Sequence, residues 1–206
     1  MSILIEMIAA AINQSITGHR KPKIGSLVEK TAQKGFGTVL GYSYNSTYDL
    51  LGTYKIDASS VLPKDKRWNA AWAIGLGWNI NQYPFLKNNS VIDYLNLKGS
   101  YGKIANLAGV SASSTIGTFS YSEDYYEDSR LLRLLSLYNR DLKAEQTTSV
   151  DLGLSIGLFK KSNLGVNLYK RKIDDALLDI PIPSSNGFGM IKRNIGVLSN
   201  EGVELS

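Results

Sequence analysis

The chain has 206 residues, a formal net charge of +5 and no cysteine, which excludes disulfide frameworks, thiolate metal sites and thiol nucleophiles. It has one histidine, and its 23 Lys and Arg residues are scattered among 18 Asp and Glu residues, which disfavours acid–base catalysis, metal centres and nucleic-acid binding. We therefore expect no enzyme, no cofactor and no nucleic-acid partner. No stretch has the roughly 20 apolar residues of a membrane-spanning helix, so any membrane role must use strands.

Strands are predicted from period-two alternation of bulky and small residues. In Ala71 to Ile80, bulky apolar residues at even positions alternate with alanine, glycine and asparagine. Alternation puts the bulky side chains on one face of a strand and the small ones on the other. In chain order, this pattern predicts seven strands, over residues 36–45, 48–58, 68–80, 95–105, 147–159, 163–178 and 191–206.

Helix is expected in only two places. Pro84 to Asn88 predicts a short helical turn, and the leucine-rich run from Leu131 to Leu137 predicts a second helical segment inside the longest connection. Residues 1–35 have no clear assignment.

The connections alternate in length. Asn45–Thr47 and Lys160–Ser162 are tight and 81–94 is moderate, whereas 59–67, 106–146 and 179–190 are longer. In a meandering membrane barrel every second connection lies at the same rim, with short turns on the periplasmic side and long loops outside. The alternation therefore predicts which rim faces out.

Two all-β architectures fit these strands. The first is a partial transmembrane antiparallel β-barrel of about seven meandering strands, favoured by strands of about 10 to 13 residues and by bulky aromatic residues near the strand ends. The second is a soluble β-rich binding or adhesion module. In lipid the bulky face would form one exposed band, whereas in a sandwich it would be buried against a second sheet.

Several short phrases follow one another in a fixed order along residues 36–206. They include Gly75-Leu76-Gly77-Trp78-Asn79-Ile80, Pro84-Phe85-Leu86-Lys87, Leu97-Lys98-Gly99-Ser100-Tyr101-Gly102-Lys103, Leu142-Lys143-Ala144-Glu145-Gln146-Thr147-Thr148 and Asn200-Glu201-Gly202-Val203-Glu204-Leu205-Ser206. In order and spacing they resemble the later part of the barrel of SusC/RagA-like TonB-dependent outer-membrane transporters.

The resemblance implies that residues 36–206 are a TonB-dependent receptor β-barrel fragment in the cell outer membrane, in contact with its lipid. A full family member imports glycan- or peptide-like nutrients with a SusD-like surface lipoprotein and TonB as partners. The loop from Pro181 to Gly189 would border the opening under that lipoprotein. About seven strands would leave two open edges in lipid, so we expect the chain to be inactive alone.

Two groups of residues are candidates for functional contacts, and no residue is a candidate for catalysis. In the outer loop Phe119 to Arg130, aromatic rings could stack on a sugar and carboxylates could hold Ca²⁺. The alternative is a solvated loop with no ligand. The predicted ligand contacts are Tyr121, Asp124, Tyr125 and Tyr126. Trp72 and Trp78 share the bulky face and are predicted anchors at the lipid interface.

Overall fold

The computed structural model describes residues 2–8, 13–16, 30–87, 89–126 and 129–206. Strands dominate this part of the chain: β1 (Ser2–Ile8), β2 (Asn13–Ile16), β3 (Lys30–Tyr44), β4 (Tyr48–Ser59), β5 (Trp68–Asn79), β6 (Ile92–Asn106), β7 (Thr118–Tyr126), β8 (Ser129–Ser136), β9 (Glu145–Leu158), β10 (Ser162–Pro181) and β11 (Met190–Leu205). The connections contain α1 (Pro84–Lys87), α2 (Ala112–Ile116) and 3₁₀ turns at Lys64–Lys66, Ile80–Gln82 and Ser184–Asn186. None of the described helices is long and apolar enough to cross a membrane.

The main sheet is antiparallel and follows the chain in the order β3-β4-β5-β6-β9-β10-β11. These are the seven predicted strands, and the sheet they form is not closed, so the prediction of a partial antiparallel barrel is confirmed. β1 and β2 both pair with β3. Among the described strands, β7 pairs only with β8, as a separate hairpin.

The cross-strand register explains why the sheet has two chemically different faces. Tyr48 in β4 pairs with Trp78 in β5, which pairs with Leu97 in β6, which pairs with Leu154 in β9. Because register partners point to the same side of a sheet, the bulky sets of neighbouring strands merge into one face. We call this the outward face and the opposite one the inner face.

The connections lie at two rims of the sheet, as predicted. Residues 45–47, 80–91 and 159–161 lie at one rim, which we call the short-loop rim. Residues 60–67, 107–144 and 182–189 lie at the other, the long-loop rim. The longest of these connections carries α2 and the β7–β8 hairpin.

Of the two helical segments predicted from the sequence, one is present and the other is not. Residues Pro84–Lys87 form α1, as expected, with residue 88 outside the described part of the chain. The helical prediction for Leu131 to Leu137 is wrong, because Ser129–Ser136 is strand β8. Leucines at positions 131, 132, 134 and 135 have the spacing of a helix face, but pairing with β7 overrides that local pattern.

Candidate functional site

The outward face carries an exposed apolar band. Leu76 is 61% exposed, Leu152 51% and Leu168 46%, and no second sheet covers them among the described residues. Burial in β5 alternates residue by residue between the two faces. An apolar band of this extent is uncovered in the isolated chain, which is the arrangement expected of a lipid-facing wall and not of a sandwich core.

Aromatic rings cluster at the short-loop end of this band. Trp78 stacks on Tyr48, with ring centroids 6.3 Å apart, and meets Tyr83 edge to face. The hydroxyl groups of Tyr48 and Tyr83 are 2.7 Å apart and hydrogen bonded, and Phe85 extends the cluster. Rings with polar tips suit a boundary between apolar and aqueous surroundings.

One aromatic pair and one cation–π contact lie nearer the long-loop rim on the same face. Trp72 meets Tyr101 edge to face at 5.3 Å, and the ammonium group of Lys34 lies 4.9 Å from the centre of the Trp68 ring. Of the two tryptophans predicted as anchors, Trp72 belongs to this group and Trp78 to the short-loop cluster, and both are on the outward face.

The inner face is polar and concave. A trough of about 890 Å³ runs across it and is lined from β3, β4, β5, β6, β9, β10 and β11. Glycines, serines and asparagines predominate among its lining residues, with Asp49, Lys98, Asp151 and Glu204 adding charge. A wide polar trough on one side and an apolar band on the other are what the wall of a large barrel requires.

A hydrogen-bonded network occupies the short-loop end of the trough. The Asp49 carboxylate accepts hydrogen bonds from the Ser43 hydroxyl and from Asn79 Nδ2, the latter at 2.9 Å. Asn96 Nδ2 donates to Asn79 Oδ1, and Asn96 is only 2% exposed. Asn96 Oδ1 is buried without a hydrogen-bond partner among the described residues, so this corner of the inner face can accept one more donor.

The best-buried residues of the described chain lie at the long-loop rim. Leu142 is fully buried, Leu62 is 1% exposed and Ala144 is 1% exposed. The loops carrying them are joined by polar contacts: the Thr115 hydroxyl donates to the Val61 carbonyl at 2.8 Å, and Lys66 forms an ion pair with Asp141 at 3.3 Å. Two connections, 60–67 and 107–144, therefore pack into one layer, which we call the loop layer.

A β-bulge in β10 ties the loop layer to the sheet. Register with β11 shifts around Ala176, next to Asp175, whose φ is +59°. The Leu177 N–H donates to Glu145 Oε1 at 2.7 Å, and Lys143 forms an ion pair with Asp175 at 2.9 Å. Side chains from β9 and the loop layer thus satisfy groups that the bulge frees from the strand ladder.

The predicted outer-loop contacts lie on the β7–β8 hairpin. The segment is strand where a solvated loop was the plainer expectation. Tyr121 is 68% and Tyr126 66% exposed, while the side chains of Asp124 and Tyr125 are outside the described part of the structure. The hairpin projects both rings, but the described residues do not bring them to the trough.

Among the described residues, no three His, Asp or Glu side chains are grouped as metal ligands. Sequence reasoning also missed features that matter to the site: the Asp49–Asn79–Asn96 network, the buried Leu142 and the bulge at Asp175. Asn79 and Asn96 hold small-face positions in their strands, which was the only signal in the sequence for the network.

A single curved sheet with an apolar outward face, a polar inner trough and loops packed over one rim defines a segment of the wall of a large membrane β-barrel. A family model described as TonB dependent receptor-like, beta-barrel, matches residues 28–206. The chain belongs to this family.

Individual relatives agree with this assignment and confirm the resemblance to the SusC/RagA-like subgroup. The TonB-dependent receptor SusC of Bacteroides thetaiotaomicron is 30% identical over 204 residues, covering 91% of this chain and 20% of SusC. A TonB-dependent receptor of Formosa agariphila is 32% identical over 173 residues, covering 81% of this chain and 16% of its own length. The chain therefore spans about a fifth of the length of these relatives.

Solved structures give the same answer for the fold. The RagAB peptide importer in its closed-closed state superposes with a TM-score of 0.80 at 25% identity, over 90% of this chain and 21% of the importer chain. The siderophore receptor PirA from Pseudomonas aeruginosa has a TM-score of 0.58 at 12% identity, which supports the fold alone.

Proposed function

We propose that this chain forms part of the barrel wall of a TonB-dependent outer-membrane importer for glycan- or peptide-like nutrients, and that it is inactive outside a longer polypeptide. The two-faced sheet is the observation that carries the proposal. Its apolar band suits lipid, and its polar trough suits the inside of a transport protein. The RagAB peptide importer, to which the chain is similar, supports the peptide class, and the glycan class is what the resemblance to the SusC/RagA-like subgroup implies.

The orientation follows from the loops. With the long-loop rim outside the cell, the loop layer and the β7–β8 hairpin would meet nutrients first, and the short-loop rim would face the periplasm. Trp72 and Trp78 would then be lipid-facing, with Trp78 in the ring cluster near the periplasmic interface.

The long-loop rim is also where partners would be met. We place a SusD-like surface lipoprotein over the loop layer, next to residues 182–189, and energy coupling through TonB in the longer protein. Tyr121 and Tyr126, the exposed hairpin rings, would contact the nutrient together with Asp124 and Tyr125.

We further propose that the chain has no enzymatic activity and that residues 36–206 are the barrel unit, with 1–35 an N-terminal segment that has no clear assignment. The similarity to transporters and receptors supports the first point. The family match begins at residue 28, close to the start of β3, which supports a boundary near there.

The proposal can be tested by genetics and fractionation. Cells with the gene of the longer protein deleted, and cells lacking TonB, are compared for growth on single oligosaccharides and oligopeptides. Both strains should lose growth on the same nutrient class, and the protein should fractionate with outer membranes. Recovery of a folded protein in the soluble fraction, with no growth defect, would instead support a soluble β-rich binding module.

A further inference from the structure

We propose that a row of three lysines on the outward face, Lys34, Lys103 and Lys170, binds the phosphate groups of membrane lipids. We call these residues the lysine row. The inference rests on the proposed function, since it requires the outward face to lie in lipid.

Each lysine occupies the same place relative to the apolar band. On its strand it is the next outward-facing residue beyond a large apolar or aromatic one, on the side of the long-loop rim. The pairs are Lys34 beyond Phe36 in β3, Lys103 beyond Tyr101 in β6 and Lys170 beyond Leu168 in β10.

The line through the three lysines is inclined to the line of register partners across the sheet. The angle between the two lines equals the strand tilt of a membrane barrel. Traced through the register onto β5, Lys34 falls level with Trp68, Lys103 with Trp72 and Lys170 with Ile74. The row therefore moves about six residues over about five strand steps, and with about 3.3 Å per residue and about 4.8 Å between strands its inclination is about 40°.

Strands of outer-membrane barrels tilt by about 35–45° from the barrel axis. A line inclined to the strand register by that angle lies level in the membrane. Although the three lysines are far apart in sequence and on three different strands, they would share one depth, just beyond the apolar band.

The chemistry at that depth fits phosphate. Lysine side chains cover apolar surface with their methylene groups and extend the ammonium group to the membrane interface. Lys34 lies over the Trp68 ring, and Lys103 forms no ion pair with a described residue. Lys170 pairs with Glu201 at 2.9 Å, but both side chains are more than 60% exposed, and such a pair is weak enough to exchange for a phosphate.

At the opposite boundary of the band the described strands carry no such row, and Lys160 and Lys161 at that end belong to the turn 159–161. The outward positions beyond Trp78 and Leu164 toward the short-loop rim are Ile80 and Ser162. The asymmetry assigns phosphate contacts to the leaflet on the long-loop side.

The test uses the full-length importer that carries this segment, purified in a neutral detergent. Binding of lipid A with its phosphates is measured for the wild type, for the triple variant Lys34→Gln/Lys103→Gln/Lys170→Gln and for a triple Lys→Arg variant at the same positions. A control variant, Lys64→Gln/Lys160→Gln/Lys161→Gln, removes the same charge from the connections. Dephosphorylated lipid A and a millimolar excess of inorganic phosphate as competitor complete the set.

The glutamine triple should bind lipid A at least about tenfold more weakly, since a lysine near an anionic membrane surface contributes about fivefold in affinity. The arginine triple and the control should bind like the wild type, and inorganic phosphate should not compete. The inference is overturned if the glutamine triple binds within about twofold of the wild type, if the control weakens equally, or if dephosphorylated lipid binds as well.

A failure of the inference is distinguishable from a failure of the proposed function. If the protein is in the outer membrane and supports uptake while the glutamine triple keeps its lipid affinity, only the lysine row is refuted. Recovery of the protein outside the membrane would refute both. The arginine triple keeps the test meaningful if the glutamine triple fails to fold, because loss of lipid binding in a folded arginine triple also overturns the inference.

Discussion

Asn194 in β11 donates a hydrogen bond to the carbonyl oxygen of Asp175, 2.8 Å away, at the bulge in β10. The same Nδ2 group donates to the Lys143 carbonyl at 2.9 Å, and Asn194 Oδ1 accepts from the Lys143 N–H at 3.0 Å. The Asn194 amide thus binds both Asp175, whose backbone is in the left-handed region, and Lys143 in the loop layer. This contact joins the loop layer to the sheet.

Replacing Asn194 with alanine should loosen the loop layer while the sheet stays intact. The variant loses one part-buried and two exposed hydrogen bonds, and a hydrogen bond contributes about 0.5–1.5 kcal/mol to stability. Amide hydrogen exchange around residues 139–144 should quicken in the full-length protein. Asn200→Ala, at an exposed position of the same strand, is the matched control. Equal exchange in both variants would show that Asn194 does not anchor the loops.

Leu142→Ala should destabilise the loop layer by about 2–5 kcal/mol, because Leu142 is fully buried and its truncation leaves a cavity. The readout is the rate of protease cleavage in residues 137–144, with membrane insertion unchanged. Leu132→Ala, at a site 62% exposed, should change the stability by less than about 0.5 kcal/mol. Slow cleavage in the Leu142 variant would mean that the loops are held without this side chain.

The exposed hairpin rings should matter for nutrient affinity and not for folding. Tyr121→Ala/Tyr126→Ala should raise the nutrient concentration for half-maximal uptake by about tenfold, since each ring contributes about 0.5–1.5 kcal/mol. The double Tyr→Phe variant keeps both rings and is the control. An alanine variant that takes up nutrient like the wild type would argue against a ligand role for the hairpin.

The sequence predicted the strands of the wall better than the loops, because strand periodicity is local in sequence whereas loop packing depends on contacts between distant segments. Strand periodicity is visible residue by residue, so Trp72, Leu76 and Trp78 could be assigned to one face in advance. Leu142 and Thr115 are single residues in irregular connections, and burial there depends on which loops meet in space. The helical prediction for the β8 leucines was wrong because their helix-like spacing carries no information about pairing with β7.

The asymmetry of the two faces predicts opposite responses to charge. Leu76 and Leu51 lie on neighbouring strands and are 61% and 49% exposed, but Leu76 is on the outward face and Leu51 on the inner one. Leu76→Arg should destabilise the full-length barrel in lipid vesicles by about 1–3 kcal/mol, because a cation costs about 2–4 kcal/mol at the bilayer midplane and less toward the interface. Leu51→Arg should cost less than about 1 kcal/mol, since water or polar protein surrounds it. Equal costs, measured by guanidinium unfolding, would contradict the lipid-facing assignment.

The three tryptophans of β5 should report the depth of the band. Trp68 and Trp78 are ten residues apart on one face, a distance of about 33 Å along the strand and about 25 Å across the membrane at a tilt of about 40°, which matches the apolar height of an outer-membrane barrel. Nitroxide labels on single cysteines at positions 68 and 78 should therefore lie shallow, at opposite interfaces, and a label at 72 should lie deeper. The measurement is the accessibility of each label to oxygen and to a polar nickel complex. A label at 72 that is as accessible to nickel as one at 68 would place the outer interface at Trp72, two outward positions closer to the short-loop rim, and would contradict an apolar band that extends to Trp68.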